Sequence, residues 1–297
     1  MHPFAFLHLS HIQISMTLPI FIGIVAACAA GLLLGRLPGQ IRFRILIAMA
    51  IFFMGSEIIK QFLLAGIFAD QPLRRLWYIP FQLCSMPIYL LPVGLMLCSK
   101  QTRVGHSNGL AGNRAPISSS RPGLADAIFC FLADYGLLAG IFTFFDTTGL
   151  HYSLKLLAIH SFSWHYLMII MAFLCHAQLR DRTLTNSVDN HRIALVSQGS
   201  APNFHGQIPL FLRSTLLFLV CAVIAQLINY LLHPYGELNM FYISFWEPIY
   251  QAVFCDIAAV IGDPLTHLLY LACIILGAGV VHAVLHSSQD YPRVCGE

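Results

Sequence analysis

The sequence predicts an all-α membrane protein: a single bundle of seven transmembrane helices with its N-terminus outside and its C-terminus in the cytoplasm. Hydrophobic residues make up 58% of the 297 residues and charged residues only 10%, whereas a soluble domain has about 25% charged residues. The mean hydropathy is +0.73. Several apolar runs also reach the length of about 20 residues that a helix needs to cross the hydrocarbon core.

Seven apolar runs are long enough to be predicted as spans, because a chain inside the bilayer must satisfy its backbone hydrogen bonds within its own helix. These runs are residues 17–34, 45–68, 79–98, 125–145, 157–176, 209–232 and 263–285. They form one membrane domain over residues 1–297. The polar stretches 99–123 and 177–208 are predicted as flexible cytoplasmic loops. The aromatic segment 233–262 contains no Lys or Arg, so we expect it to lie on or dip into the membrane interface.

The distribution of Lys and Arg predicts the orientation. Of the sixteen such residues, twelve fall on one side of the predicted spans and three on the other, while Lys60 lies inside a span. By the positive-inside rule, the side with twelve is cytoplasmic. The formal net charge of +3 is small and spread over short loops, which argues against a nucleic-acid partner.

The cysteines provide neither a disulfide framework nor a C-x-x-C metal pair, although there are nine of them. Most are expected to be small buried side chains. Cys84 differs, because Gln82 and Ser85 lie beside it and Pro80 and Pro87 flank it. These neighbours make Cys84 the first candidate for chemistry.

With this orientation, polar side chains from several spans reach the outer half of the membrane. Ionisable groups in hydrocarbon are costly, so they face the bundle interior or a wet cavity and often mark function. Glu57 and Lys60 are three residues apart and share a helix face, either as a structural ion pair or as part of a site. Asp134 has no partner in its own helix, and we expect it to join a network with Lys60 or a histidine. The candidate site residues are Cys84, His160 and His165, supported by Gln82, Ser161, Asn239, Tyr242, Glu57, Lys60 and Asp134.

Two interpretations remain open for the cysteine and the histidines. A base at the same depth favours the thiolate, so Cys84 with His160 or His165 would be a nucleophile pair. Alternatively, the histidines bond across helices and Cys84 only packs. His160 and His165 point away from one another on an ideal helix, so only one of them is expected to meet Cys84.

Three stretches carry a resemblance to a known family. Residues 79–90 (IPFQLCSMPIYL), 160–165 (HSFSWH) and 239–244 (NMFYIS) resemble the signatures of the YwaF-type integral membrane proteins, to which a vertebrate transmembrane phospholipid acyltransferase is related. The resemblance implies acyl transfer through a cysteine thioester, with Cys84 as the cysteine and His160 as the essential histidine. Many members have histidine at the position of Gln82, and the residues after Ser244 differ. If that histidine takes part in the chemistry, its absence predicts weaker or altered activity.

The predicted function is a Cys/His-dependent lipid acyltransferase with a pocket in the outer leaflet of a bacterial inner membrane. Cys84 would attack an ester carbonyl, and His160 or His165 would act as base and then acid. Gln82, Ser161 or Asn239 would donate hydrogen bonds to the oxyanion.

The alternative is a transporter or ligand-sensing membrane protein. In that case Glu57, Lys60, Asp134 and the histidines would form a proton or solute path. Membrane lipids are the expected partners. No cofactor and no metal are expected, because no metal-ligand spacing is present.

Overall fold

The computed structural model describes residues 12–109, 123–194, 207–251 and 253–287, and within these ranges it is helical and without strands. The helices are α1 (Ile12–Leu34), α2 (Gly39–Ile67), α3 (Pro87–Gly109), α4 (Leu124–Phe142), α5 (Lys155–Ala194), α6 (Gln207–Leu232), α7 (Phe254–Ile261) and α8 (Asp263–Ser287). Five are long and apolar enough to cross a membrane, or six if one bent pair counts as a span. Leu18–Leu34 within α1 forms a shorter apolar helix. The predicted all-α class is confirmed.

Helix α4 lies at the centre of the bundle. Every residue from Ala127 to Gly140 is buried, and α4 packs against α3, α5, α6 and α8. The surrounding helices expose large apolar side chains, such as Val223 on α6 and Leu276 on α8, both 69% exposed. Apolar side chains that face outward on this scale are those expected of helices whose outer surface contacts lipid rather than water.

The helix directions define two ends of the bundle. At one end, which we call the Arg42 end, Arg42 near the start of α2 pairs with Asp181 of α5. There too Arg182 Nε lies 3.2 Å from Asp126 Oδ1 at the start of α4. The opposite end, which we call the Lys60 end, holds the last turns of α2 and the first turns of α5. Helix α1 runs in the same direction as α5, because Gly23 contacts Tyr166 and Gly31 contacts Phe173.

The predicted third span is broken at its start. Two short 3-10 turns, Pro72–Tyr78 and Leu83–Ser85, precede α3, and the axis bends by 79° between Pro72–Tyr78 and Leu83–Ser99. Helix α3 begins at Pro87, where the missing N–H of proline costs nothing because no helical partner exists for it. Cys84 therefore lies on a turn that leads into α3, whereas the sequence predicted a continuous helix over residues 79–98.

Two helices extend beyond their predicted ends. Helix α3 continues to Gly109 and α5 to Ala194, into stretches that were predicted as the flexible loops 99–123 and 177–208. Hydropathy marks where a helix leaves the hydrocarbon, but a helix with polar side chains can continue in water, and this is why the prediction ended too early. The rest of the two predicted loops lies outside the described residues.

The segment 233–262 folds back onto the bundle. Leu238, Met240 and Phe241 are buried, and α7 follows with exposed apolar side chains such as Val260. This segment therefore packs against the bundle more closely than a stretch that only lies on the interface would. Its location at the membrane interface stays a prediction.

Candidate functional site at the Lys60 end

The backbone of Cys84 is held by a tryptophan of another helix. Trp164 of α5 donates its indole N–H to the carbonyl oxygen of Cys84 over 2.9 Å. The same indole packs edge-on against Phe53 of α2, with ring centroids 4.6 Å apart. Cys84 itself is half-buried. Cys84 lies on the 3-10 turn Leu83–Ser85, which precedes α3, so the hydrogen bonds of that helix do not hold it. The contact with Trp164 fixes the backbone of Cys84 instead.

The charged pair predicted on α2 forms next to this turn. Lys60 Nζ lies 2.8 Å from Glu57 Oε2. Gln61 Nε2 donates to Glu57 Oε1 and to the carbonyl oxygen of Tyr78, both over 2.8 Å. The ion pair is thus tied to the segment that leads to Cys84, because Gln61 bonds both Glu57 and the carbonyl oxygen of Tyr78.

The two predicted histidines occupy different surroundings. The Nδ1–H of His165 donates to the carbonyl oxygen of Ser161 over 2.7 Å, and its ring lies edge-on to Phe144. The ring of His160 lies 5.4 Å from that of Trp164, and together with Lys60 it lines a small cavity of 110 Å³. Among the described residues, no hydrogen bond joins Cys84 Sγ to either histidine. The predicted Cys/His contact is therefore not made in this state, and His160 is the histidine that shares the Lys60 surroundings.

Three amide side chains brace the loop that follows α6. Gln82 Nε2 donates to the carbonyl of Asn239, and Gln82 Oε1 accepts from the N–H of Phe241, both over 2.8 Å. Asn229 Oδ1 accepts from the N–H of Met240 over 2.7 Å, and its Nδ2 donates back to the Met240 carbonyl over 3.1 Å. The side chain of Asn239 bonds the backbone of Ser244 and Pro248.

This bracing supports an uncommon backbone. Phe241 and Tyr242 both have a φ of 56°, a left-handed conformation that is costly for large side chains and persists only where neighbouring contacts enforce it. Gln82 and Asn239 were predicted as oxyanion donors. In the structure both amides instead form hydrogen bonds with the backbone of this loop.

Two tyrosines at this end of the bundle have phenol groups whose pKa is raised chiefly by burial. Burial raises the pKa of Tyr242 to about 12, and the nearby Cys84 and Asp146 add to this effect. The pKa of Tyr152 is raised as well, mainly by burial and then by Tyr78, Cys84 and Glu57. Both phenols stay protonated at neutral pH and can donate hydrogen bonds. The sequence analysis missed Tyr152, although its position just before α5 assigns it to the same end of the bundle.

A cavity of 390 Å³ lies between α2 and the segment that precedes and begins α3, and Cys84 is not among its lining residues. Its wall is mostly apolar and comes from α2, with Pro80 and Ile88 on the other side, and Glu57 and Arg75 are its charged residues. Pro80 and Ile88 flank Cys84 in the chain. A cavity of this volume and polarity is in the range of small-molecule sites.

Asp134 is not part of this end of the bundle. It pairs with His282 of α8, whose Nδ1 lies 2.8 Å from Asp134 Oδ2, so a histidine completes its network and Lys60 does not. Cys130 joins the same group. The sequence analysis missed Cys130 as a polar partner, although its four-residue spacing from Asp134 places both on one helix face.

Comparison of the chain with protein families, with curated proteins and with solved structures finds no match.

Proposed function

We propose that the protein is a multi-pass membrane acyltransferase that moves acyl chains between membrane phospholipids through a thioester on Cys84. The observation that carries the proposal is the position of Cys84: it lies on the 3-10 turn Leu83–Ser85, four residues from Pro80 and four from Ile88, and both of these residues line an apolar cavity. Arg75 is suited to a lipid phosphate, and the apolar wall is suited to an acyl chain. The resemblance of residues 79–90, 160–165 and 239–244 to YwaF-type proteins supports the same activity.

The reaction has two steps. The Cys84 sulfur attacks the ester carbonyl, a C–S bond forms, the C–O bond of the ester breaks, and the lysolipid leaves as an alcohol with the thiol proton. A second lipid hydroxyl then attacks the thioester, which restores the thiol and forms the new ester. In this proposal the phenols of Tyr242 and Tyr152 donate to the oxyanion, since the amides of Gln82 and Asn239 hold the loop.

His160 is the proposed proton acceptor. Its ring lies against Trp164, the residue that holds the Cys84 carbonyl, so a side-chain rotation beside Trp164 is the movement the reaction requires. Resting enzymes often hold such contacts loosely and close them only with substrate bound. His165 is placed second, because its Nδ1–H is already bonded to Ser161.

We propose seven spans in a bacterial inner membrane, with α1 and the bent third segment each crossing once. The N-terminus is then outside, the C-terminus is cytoplasmic, and the Lys60 end faces outward. The twelve-to-three distribution of Lys and Arg supports this orientation. The cavity lined by Pro80 and Ile88 accordingly opens to the outer leaflet.

A transporter is the less favoured alternative. His165 and His176 lie at different depths of α5, eleven residues apart in the sequence, which is about 16 Å along a helix. The side chains of Met168, Met171 and Leu174 between them are fully buried. On α5 these apolar side chains separate the histidines near the two ends, whereas a proton path along this helix requires continuity.

The test is acyl exchange by the purified protein. The full chain in mixed micelles is given a phospholipid with a labelled acyl chain and an unlabelled lysophospholipid as acceptor. We expect label to move to the acceptor with wild type, and to fall to background with Cys84→Ala and Cys84→Ser. Cys273→Ser is the matched control, because Cys273 is an exposed cysteine of α8. Unchanged exchange in the Cys84 variants would overturn the proposal.

A further inference from the structure

A second group of reactive side chains converges inside the bundle, away from the Cys84 turn. Cys130 and Asp134 lie four residues apart on α4, and His282 faces them from α8. Cys130 Sγ is 3.1 Å from Asp134 Oδ2 and 3.7 Å from His282 Nδ1. His282 Nδ1 is 2.8 Å from the same Asp134 oxygen. Three potential ligand atoms of three different types therefore form one small triangle.

The arrangement differs from that of a catalytic triad. In a triad, the carboxylate holds one ring nitrogen of the histidine and the nucleophile meets the other. Here the thiol and the carboxylate both approach Nδ1 of His282, so the ring cannot relay a proton between them. Atoms that converge on one point are what a bound cation requires.

The distances suit a tetrahedral transition metal. Zinc binds sulfur at about 2.3 Å and nitrogen or oxygen at about 2.0–2.2 Å, so the ligands of a tetrahedral site lie roughly 3.3–3.6 Å from one another. The observed separations of 2.8, 3.1 and 3.7 Å bracket that range. Only small side-chain movements are needed to accommodate the ion.

The charges of the three side chains also favour a bound cation. Asp134 and Cys130 are fully buried and His282 is 9% exposed, and an isolated carboxylate is costly in such a place. Asp134 Oδ1 has no hydrogen-bond partner among the described residues. A divalent cation with one carboxylate, one thiolate and one neutral imidazole is a neutral unit, which removes the cost of the buried carboxylate.

We infer that Cys130, Asp134 and His282 form a binding site for a zinc-type divalent transition metal in the half of the bundle away from Cys84. The mixed S, O and N ligands favour zinc or cobalt over magnesium or calcium, which prefer oxygen ligands alone. The rings of His282 and His286 lie 4.1 Å apart, so His286 is the next histidine of α8 beside the three ligands. The inference departs from the sequence-based expectation of no metal, and it does not depend on the proposed acyl transfer.

The test uses Co²⁺ as a spectroscopic probe. The full chain is purified in detergent through a tag without histidines, treated with a chelator, and titrated with Co²⁺. We expect binding of about one ion per chain, with the thiolate-to-cobalt charge-transfer band and strong visible bands of a tetrahedral site, and displacement of both by Zn²⁺. Cys130→Ser should lose the charge-transfer band, whereas Cys175→Ser, which alters another fully buried cysteine, should keep it.

Asp134→Asn and His282→Ala should weaken Co²⁺ binding by at least about 10- to 100-fold, the loss that even outer-shell changes cause. A thermal shift measured with and without Zn²⁺ provides the folding control: each folded variant should have a melting transition that no longer responds to the ion. Wild-type protein that gives no charge-transfer band, or a Cys130→Ser variant that keeps the band, would overturn the inference. Both outcomes can be read even if Asp134→Asn or His282→Ala fails to fold.

Discussion

At the scale of single residues, amide side chains form the hydrogen bonds that backbone groups of a helix or strand form with one another. Asn229 is fully buried and bonds both the N–H and the carbonyl of Met240. Gln82 does the same for Phe241 and Asn239. In an apolar environment these loop groups have no water to bond, so the amides allow an irregular backbone to exist there.

The first prediction concerns Asn229→Ala. The buried N–H of Met240 would lose its partner, while the Met240 carbonyl would keep only the 3.4 Å bond from the N–H of Ile243. We therefore expect the free energy of unfolding to fall by about 1–3 kcal/mol. Gln226→Ala is the control, since it removes an amide one turn earlier that makes only a 3.4 Å contact with Asn229. Thermal unfolding in detergent measures both. Equal melting temperatures for the two variants would contradict the bracing role.

The second prediction concerns pH. Burial, followed by Cys84 and Asp146, raises the pKa of Tyr242 from 10 to about 12. The native state therefore holds this proton more tightly than the unfolded state. The resulting stability is complete below pH 10 and is lost as the pH rises through 12. Tyr242→Phe has no phenol to ionise, so its stability should decrease less between pH 10 and pH 12.

Unfolding measured across that range, with Tyr235→Phe as an exposed control, checks this prediction. A wild-type protein and a Tyr242→Phe variant with parallel stability curves would contradict it. The same result would place the phenol of Tyr242 outside the buried surroundings of Cys84.

Sequence reasoning succeeded at residues whose partners are local. The Glu57–Lys60 pair follows from a spacing of three on one helix. Asp134 was expected to join a histidine or Lys60, but the choice of His282 depends on how α4 and α8 align, and periodicity does not contain this information. Cys130 and Tyr152 were missed although local signals pointed to them: Cys130 lies four residues before Asp134 on one helix, and Tyr152 lies just before α5. The bracing role of Gln82 could be predicted only by knowing the path of a loop more than 150 residues further along the chain.

At the scale of elements, glycines set how closely the helices approach. A Cβ atom at Gly31 of α1 would lie 2.7 Å from Cδ2 and 2.9 Å from Cβ of Phe173 on α5. The Phe173 Cβ atom cannot move without its backbone. Helix α1 therefore packs on α5 through a surface that only glycine permits at this point.

The third prediction follows from that contact. Gly31→Ala should destabilise the protein by about 1–3 kcal/mol through overpacking. Gly55→Ala on α2, where a Cβ atom would meet nothing within 4 Å, should be neutral or stabilise by up to about 1 kcal/mol. Melting temperatures of the two variants measure the difference. A Gly31→Ala protein as stable as wild type would contradict the close packing of α1.

The five helices that are long and apolar enough to cross a membrane were readable from hydropathy, because the hydrocarbon imposes a minimum length on any helix that crosses it. Two features could not be predicted from hydropathy. The bend before α3 depends on Pro87 starting the helix, whereas the apolar run 79–98 continues through the bend without interruption. The extension of α5 to Ala194 is polar, and hydropathy cannot separate a polar helix from a loop.

At the scale of the whole molecule, the two ends of the bundle have different compositions. Salt bridges of Arg42 and Arg182 mark one end, and the Cys84 turn, the cavity and the tyrosines mark the other. The fourth prediction is that the Lys60 end faces outward. An epitope inserted at Gly149, an exposed residue between α4 and α5, should be reached by antibody in intact spheroplasts. A C-terminal epitope should be reached only after permeabilisation, and the reverse pattern would contradict the proposed orientation.

The most direct test of the central claim is a search for an acyl group on Cys84. The full chain is incubated with a phospholipid that carries a labelled acyl chain, without an acceptor, then digested and analysed by mass spectrometry before and after neutral hydroxylamine. The account predicts an acyl mass on the peptide containing Cys84 that hydroxylamine removes, and none on the peptide containing Cys273. A Cys84 peptide that stays unmodified while labelled lipid is consumed would contradict the account.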